Sequence, residues 1–100
     1  MSINGINRIV IAVRDLEDSK KKYHDLLGAT FTDAHWTGEP FGISVSIAWD
    51  AGIELCAPLP GRENSSAVSG FLSTHGEGVM SVFFNVSDGE AAMERATRHG

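Results

Sequence analysis

Apolar residues alternate over "INRIVIAV", Ile6 to Val13, with Arg8, Val10 and Ala12 on one side and Ile9, Ile11 and Val13 on the other. A period of two in β-branched residues predicts a strand. Arg8 is the anomaly, a guanidinium on a side that otherwise looks buried. From Leu16 to Leu27 the period lengthens to that of a helix. Leu16, Ser19, Tyr23, Leu26 and Leu27 share one face, and Glu17, Asp18, Lys20 to Lys22 and Asp25 take the other. Asp15 supplies the N-cap, with Asp18 three residues on, and Gly28 the stop. Strands are predicted again over residues 30–37, 43–49 and 53–57, separated by the turn compositions "GEPFG" and "DAG". The polar loop "PLPGRENSS" follows. Behind it Val68, Phe71 and Leu72 stand at helical spacing, which predicts a short helix over 65–73 ending at "HGEG".

The opening pattern then returns. At an offset of 73 residues "RIVIAVRDLEDSKKKYHDLLG" lies over "SVFFNVSDGEAAMERATRHG", so that Val13, Asp15 and Glu17 meet Val86, Asp88 and Glu90. A strand, an Asp cap and an amphipathic helix recur in the same order, with Ala92, Met93 and Ala96 as the second helix's inner face. The first copy continues into three strands, whereas the second stops at Gly100. A half-built sheet leaves an edge and an apolar face uncovered. The expectation is a piece of a longer chain, or a partner subunit that supplies the remainder.

Composition narrows the functional classes. With 100 residues and 42% apolar content, a single small domain with its own core is expected. The net charge is −5, with eight Lys and Arg among thirteen acids, which argues against a nucleic-acid or anionic-membrane binder. No stretch approaches the ~20 apolar residues of a membrane span, and the N-terminus has no signal-peptide pattern. A cytoplasmic protein acting on small molecules is the expectation. Cys56 is the sole cysteine, which fits a reducing compartment. "GEG" and "FGIS" lack the lysine and spacing of a phosphate loop. No Ser-His-Asp order and no zinc spacing is present.

Three stretches together, "INRIVIAVRDLEDSKKKYHDLLGA", "GIELCAP" and "FLSTHGEGVMSVFFNVSD", resemble the vicinal oxygen chelate superfamily of glyoxalases, bleomycin-resistance proteins and extradiol dioxygenases, nearest its methylmalonyl-CoA epimerase-like branch. The resemblance implies an α+β fold of paired βαβββ modules whose mixed sheet curls into a cup, often within a homodimer. Residues 1–58 are then the first module, 59–78 a linker with a short helix, and 79–100 the start of a second, incomplete module.

It also implies where a divalent metal would be held, namely at the positions of Arg8, Glu54 and Ser81 and at a fourth beyond Gly100. Only Glu54 is a competent ligand, since a guanidinium offers no lone pair and a lone hydroxyl binds divalent ions poorly. The expectation is a lost metal site with no cofactor. Arg8 and Glu54 are expected to face each other across the cup, the cation standing near the former metal position. Two readings stay open: a structural ion pair closing a vestigial site, and an anchor for a carboxylate, enolate or phosphate.

By alternation Cys56 joins the side of Glu54, and Phe83 and Asn85 join that of Ser81. Cys56 reads as a small buried filler, with a reactive thiol as the lesser alternative. His35 is open to a strand-edge or a proton-carrying role, and Trp36, Phe41, Trp49 and Phe83 to core packing or stacking on a flat ligand. His24 and His99 read as solvated helix surface, and His75 as a helix end.

Two functions follow from the resemblance. One is a glyoxalase- or epimerase-like enzyme of the lyase or isomerase type, moving a proton beside a carbonyl, with Glu54 and Arg8 catalytic and Ser81, His35, Trp36, Cys56, Phe83 and Asn85 lining the substrate site. The other is a non-catalytic binder that sequesters an aromatic ligand.

Overall fold

The computed structural model describes residues 3–34 and 38–100. The alternating segment becomes β1 (Ile3–Ala12), and the segment of helical period becomes α1 (Leu16–Leu27). There follow β2 (Thr32–Asp33), a 3-10 turn at Glu39–Phe41, β3 (Ile43–Ala48), β4 (Ile53–Pro58), α2 (Ser69–His75), β5 (Gly78–Val86) and α3 (Gly89–His99). The strands form one open sheet in the order β2-β3-β4-β1-β5. The class is α+β, as expected. β1 runs parallel to β4 and antiparallel to β5, so the first strand binds both the end of its own unit and the start of the repeat.

The repeat is visible in the backbone. Asp15 and Asp88 both sit in extended conformation, φ −126° and −140°, and each carboxylate accepts from the N–H three residues on, Asp18 and Ala91. That is the N-cap the sequence announces, and it satisfies one of the amides a helix start leaves open.

The two faces of β1 are both covered. Val10 and Ala12 pack with Val45, Cys56, Val68 and Leu72 on the face that α2 partly roofs. Ile11 and Val13 pack with Ile53, Leu55 and Ala57 on the opposite face, under Leu16 and Tyr23 of α1. Ser19 is buried in that helix interface, while Lys20 pairs with Asp33, which also accepts from the buried Ser46 hydroxyl.

Four expectations need correction. The strand expected over 30–37 is short: only Thr32–Asp33 counts as strand, and the Ala34 N–H still reaches the Val45 carbonyl. The chain then folds tightly onto β3 at Gly38, where a Cβ would stand 2.5 Å from the Ile43 carbonyl oxygen. Residues 35–37 lie outside the described residues. The helix expected over 65–73 begins at Ser69, because other bonds occupy the segment before it: turn bonds from Ser65 to Arg62 and from Ser69 to Ser66, and a long-range bond from Ala67 to Phe41.

Leu26 and Leu27, assigned to the inner face of α1, are 72% and 63% exposed, since that helix meets the sheet through Leu16, Ser19 and Tyr23. No residue of α3 is buried, and Met93 is 69% exposed. By the repeat, α1 packs on strands that follow it, and no described strand follows α3. Among the described residues no helix is long and apolar enough to cross a membrane.

Candidate functional site

The face roofed in part by α2 carries the polar groups. Across it the register sets Val10 beside Glu54, and Glu54 beside Ile47, with Ser81 on the far side of Val10. One step back along β1 stands Arg8, opposite Phe83. Facing residues of paired strands point to the same surface, so Arg8, Glu54, Cys56, Ser81 and Phe83 share one side of the sheet. Arg8 and Glu54 therefore meet as expected.

Two irregularities sharpen the arrangement. Between Ile6 and Arg8 the pairing with β5 advances two residues on β1 but one on β5, so Asn7 is the extra residue of a bulge. Between Val10 and Ile11 the extra residue is Met80 on β5. Bulges turn side chains that strict pleating would send to the other face. Met80 packs against the Val10 cluster, and Asn7 reaches Arg8.

The result is a connected chain of hydrogen bonds. Arg8 Nε donates to Glu54 Oε1 at 2.5 Å, and Arg8 Nη1 donates to Asn7 Oδ1 at 2.6 Å. Asn7 Nδ2 donates to Asn85 Oδ1 at 3.2 Å, and the Cys56 thiol donates to Glu54 Oε2 at 3.3 Å. The Arg8 and Glu54 side chains are 22% and 11% exposed, so the pair lies mostly out of water. The Arg8 guanidinium carbon lies 4.3 Å from the Phe83 ring centroid and 5.3 Å from that of Trp49. The two rings come from opposite sides of β1, Phe83 on β5 and Trp49 just after β3. Continuing the β1–β4 register places Gly52 beside Arg8.

Cys56 is buried beside Glu54. Burial first, then the charge and hydrogen bond of Glu54, push its thiol up to about 12. It stays protonated at neutral pH and lies buried. Ser81 and Asn85 are exposed, while Trp49 and Phe83 are 60% and 44% exposed and offer ring surface. His35 and Trp36 lie outside the described residues. His75 ends α2 with its ring 4.9 Å from that of Phe71. Asn7 was missed from sequence, because an undisturbed strand would have turned it away from Arg8.

A cleft of about 570 Å³ lies elsewhere, lined by Arg14, Glu63, Asn64 and Ser73 among others. None of the linked polar residues borders it, so the chemistry is sought at the Arg8–Glu54 pair. Among the described residues no three His, Cys, Asp or Glu side chains gather as metal ligands.

A βαβββ unit joined through its first strand to a repeat of that strand and helix, with polar groups on one sheet face, defines a half-cup of the glyoxalase type. The chain belongs to the glyoxalase/bleomycin resistance protein/dioxygenase superfamily, whose family model matches residues 7–100. It is similar to methylmalonyl-CoA epimerase from Mycobacterium tuberculosis, with 29% identity and a TM-score of 0.78 over 98% of this chain and 65% of that one. It is also similar to a variant of Streptomyces coelicolor methylmalonyl-CoA epimerase in complex with 2-nitronate-propionyl-CoA, with 27% identity and a TM-score of 0.79 over 99% of this chain and 74% of that one. A hypothetical protein of Bacillus halodurans, 23% identical with a TM-score of 0.78 over 100% of this chain and 70% of that one, shares the fold. Comparison with curated proteins finds no match. The chain thus spans about two thirds to three quarters of the length of these relatives.

Proposed function

We propose that the protein is an epimerase- or glyoxalase-like enzyme of the lyase or isomerase type that moves a proton beside a carbonyl without a divalent metal. The Arg8–Glu54 pair supports this reading. At the positions the family resemblance assigns to metal ligands stand a guanidinium, an exposed hydroxyl and a carboxylate whose two oxygens already accept from Arg8 and Cys56. These residues do not fit a divalent ion.

A carboxylate has about four acceptor positions, so Glu54 keeps lone pairs for a substrate proton. In the proposed step Glu54 takes the proton from the carbon next to the carbonyl. The bonding pair moves into the carbon–carbon bond, and the carbonyl oxygen gains the charge. Arg8 N–H donors hold that oxyanion, and return of the proton restores the ketone or thioester. A homodimer belongs to the reading, because β5 exposes Val79, Phe84 and Val86.

The structural relatives make methylmalonyl-CoA the first compound to test. Chelator-treated protein is incubated with it in deuterium oxide, and deuterium at the carbon beside the carbonyl is read by mass spectrometry. Exchange is expected without added metal, and its loss in Glu54→Gln. Exchange that requires a divalent ion overturns the metal-free reading. So does one tightly held ion per chain that disappears in the same variant.

A second reading, a binder without chemistry, is favoured by the ring surface that Trp49 and Phe83 leave exposed around the cation. Saturable ligand binding with no exchange for any acyl thioester tried supports it.

A further inference from the structure

Arg8 has five N–H donors, and the described residues use two of them. Nε–H goes to Glu54 and one Nη1–H to Asn7. Three remain, one on Nη1 and both on Nη2, and no described residue accepts from them. A guanidinium that pairs side-on with a carboxylate commonly uses Nε and Nη2 together. Here Glu54 takes Nε alone, because its second oxygen is turned to the Cys56 thiol. Nη2 has no acceptor among the described residues, and Nη1 keeps one of its two N–H groups, so the Nη1–Nη2 edge is the one left for a ligand.

That edge has a fixed orientation. Glu54 and Asn7 hold two of the three nitrogens, and Asn85 in turn holds Asn7. The rings of Trp49 and Phe83 flank the guanidinium, and more than half of Trp49 remains exposed. A ligand group that fills the open edge must present two acceptors in the guanidinium plane, and whatever is attached to it runs along aromatic surface.

We propose that Arg8 is the receptor for a planar carboxylate on a conjugated or aromatic frame, bound end-on through Nη1 and Nη2 with its frame against Trp49 and Phe83. A tetrahedral phosphate also offers two coplanar oxygens, but its remaining oxygens project toward the flanking rings. A neutral amide offers one acceptor. Glu54 already balances the charge of Arg8, so net charge alone discriminates weakly here. The match of fork to carboxylate and of ring to ring supplies the selectivity. The inference rests on the reading of this sheet face as the ligand site, and it names the class of compound the site takes.

The test is binding, which separates it from turnover. The full-length protein, labelled with ¹⁵N in its arginine side chains, is titrated in parallel with trans-cinnamate, cinnamamide, 3-cyclohexylpropanoate and phenyl phosphate. Cinnamate is expected to shift the Arg8 side-chain signals and to bind about tenfold or more tighter than each of the other three. Arg8→Lys, which keeps the charge and loses the fork, is expected to erase that preference.

Equal affinity for cinnamate and 3-cyclohexylpropanoate overturns the aromatic part. Tighter binding of phenyl phosphate or of the amide overturns the carboxylate part. Absence of cinnamate binding overturns the whole. The probe series on the unaltered protein decides the matter even if Arg8→Lys fails to fold. Cinnamate binding without thioester exchange leaves the inference standing and removes the enzyme reading; exchange without cinnamate binding does the reverse.

Discussion

Replacing Arg8 by Met keeps most of the side-chain stem and removes the charge. Glu54 is then left 11% exposed with a thiol as its one remaining side-chain hydrogen bond among the described residues. Opposite charges about 4 Å apart attract by about 4 kcal/mol at the effective dielectric of a site near the surface. Water reaches 22% of the Arg8 side chain and screens part of this, and desolvation of both groups offsets more. Removing one partner of a fully buried pair costs about 3–5 kcal/mol. For this partly wet pair Arg8→Met is expected to cost about 2–3 kcal/mol. With m between about 1 and 3 kcal/mol/M, the urea midpoint falls by about 0.7–3 M. The double variant Arg8→Met/Glu54→Leu strands no charge and is expected within about 1 kcal/mol of the parent. With the single variant Glu54→Leu, the parent, Arg8→Met and the double variant form a double-mutant cycle read by urea unfolding. A loss below about 0.5 kcal/mol in Arg8→Met, as for a solvated surface pair, would refute the reasoning. So would a double variant whose loss equals the sum of the single losses.

Three further outcomes follow from other parts of the molecule. The Cys56 thiol, raised from 9.0 to about 12, keeps its proton in the folded state while an unfolded chain loses it, so stability is expected to fall as pH rises from about 9 to about 12. Urea midpoints of the parent should drop across that window more steeply than those of Cys56→Ala; parallel slopes contradict the assignment. Two glycines should respond with opposite signs. Gly38→Ala, whose Cβ meets a backbone oxygen at 2.5 Å, is expected to cost about 1–3 kcal/mol, and Gly70→Ala, with nothing within 4 Å inside α2, to gain about 0.5–1 kcal/mol. Thermal unfolding that moves both the same way speaks against the packing described. The N-caps should differ in reach: Asp15→Ala is expected to lower global stability by about 1 kcal/mol, and Asp88→Ala to speed amide exchange within α3 alone. Faster exchange in β1 of Asp88→Ala would show that α3 is coupled to the core after all.

The fold was legible wherever a period met a boundary residue. The alternation over Ile6 to Val13 gave β1, though not its start at Ile3, because the added length is held by pairing with β5 rather than by local pattern. Asp15 and Gly28 bounded α1 to the residue, since the cap and the left-handed stop at φ 73° are local interactions. The face of the same helix was less legible at its end. Leu26 and Leu27 continue the stripe, but burial depends on how far the sheet extends beneath, and β2 is only two residues long. Turn chemistry around Ser66 likewise postponed α2, using backbone groups that helical spacing alone had assigned to the helix.

Site legibility divides along the same physical line. Parity along a strand needs no tertiary knowledge, so Arg8, Glu54, Cys56 and Phe83 were placed on one surface from alternation and the resemblance, and they meet there. Asn7 obeys no parity, because its position is a register shift, and register is a property of the pair of strands. The nearest sequence signal is Gly5, whose φ of 89° marks the irregular stretch before it. Yet Asn7 takes an Nη1 donor of Arg8 and is, with Glu54, one of the two groups that hold the guanidinium. Had Asn7 pointed away, Glu54 alone would hold the guanidinium, and its open edge would have no second anchor. The bulge thus converts an ion pair, which alone is stabilising or vestigial, into a guanidinium with one edge committed and one edge offered. Asn7→Ala tests this directly: if the bulge acts in this way, the variant keeps its fold and loses cinnamate affinity by about tenfold. Unchanged affinity would mean that Glu54 alone sets the orientation of Arg8.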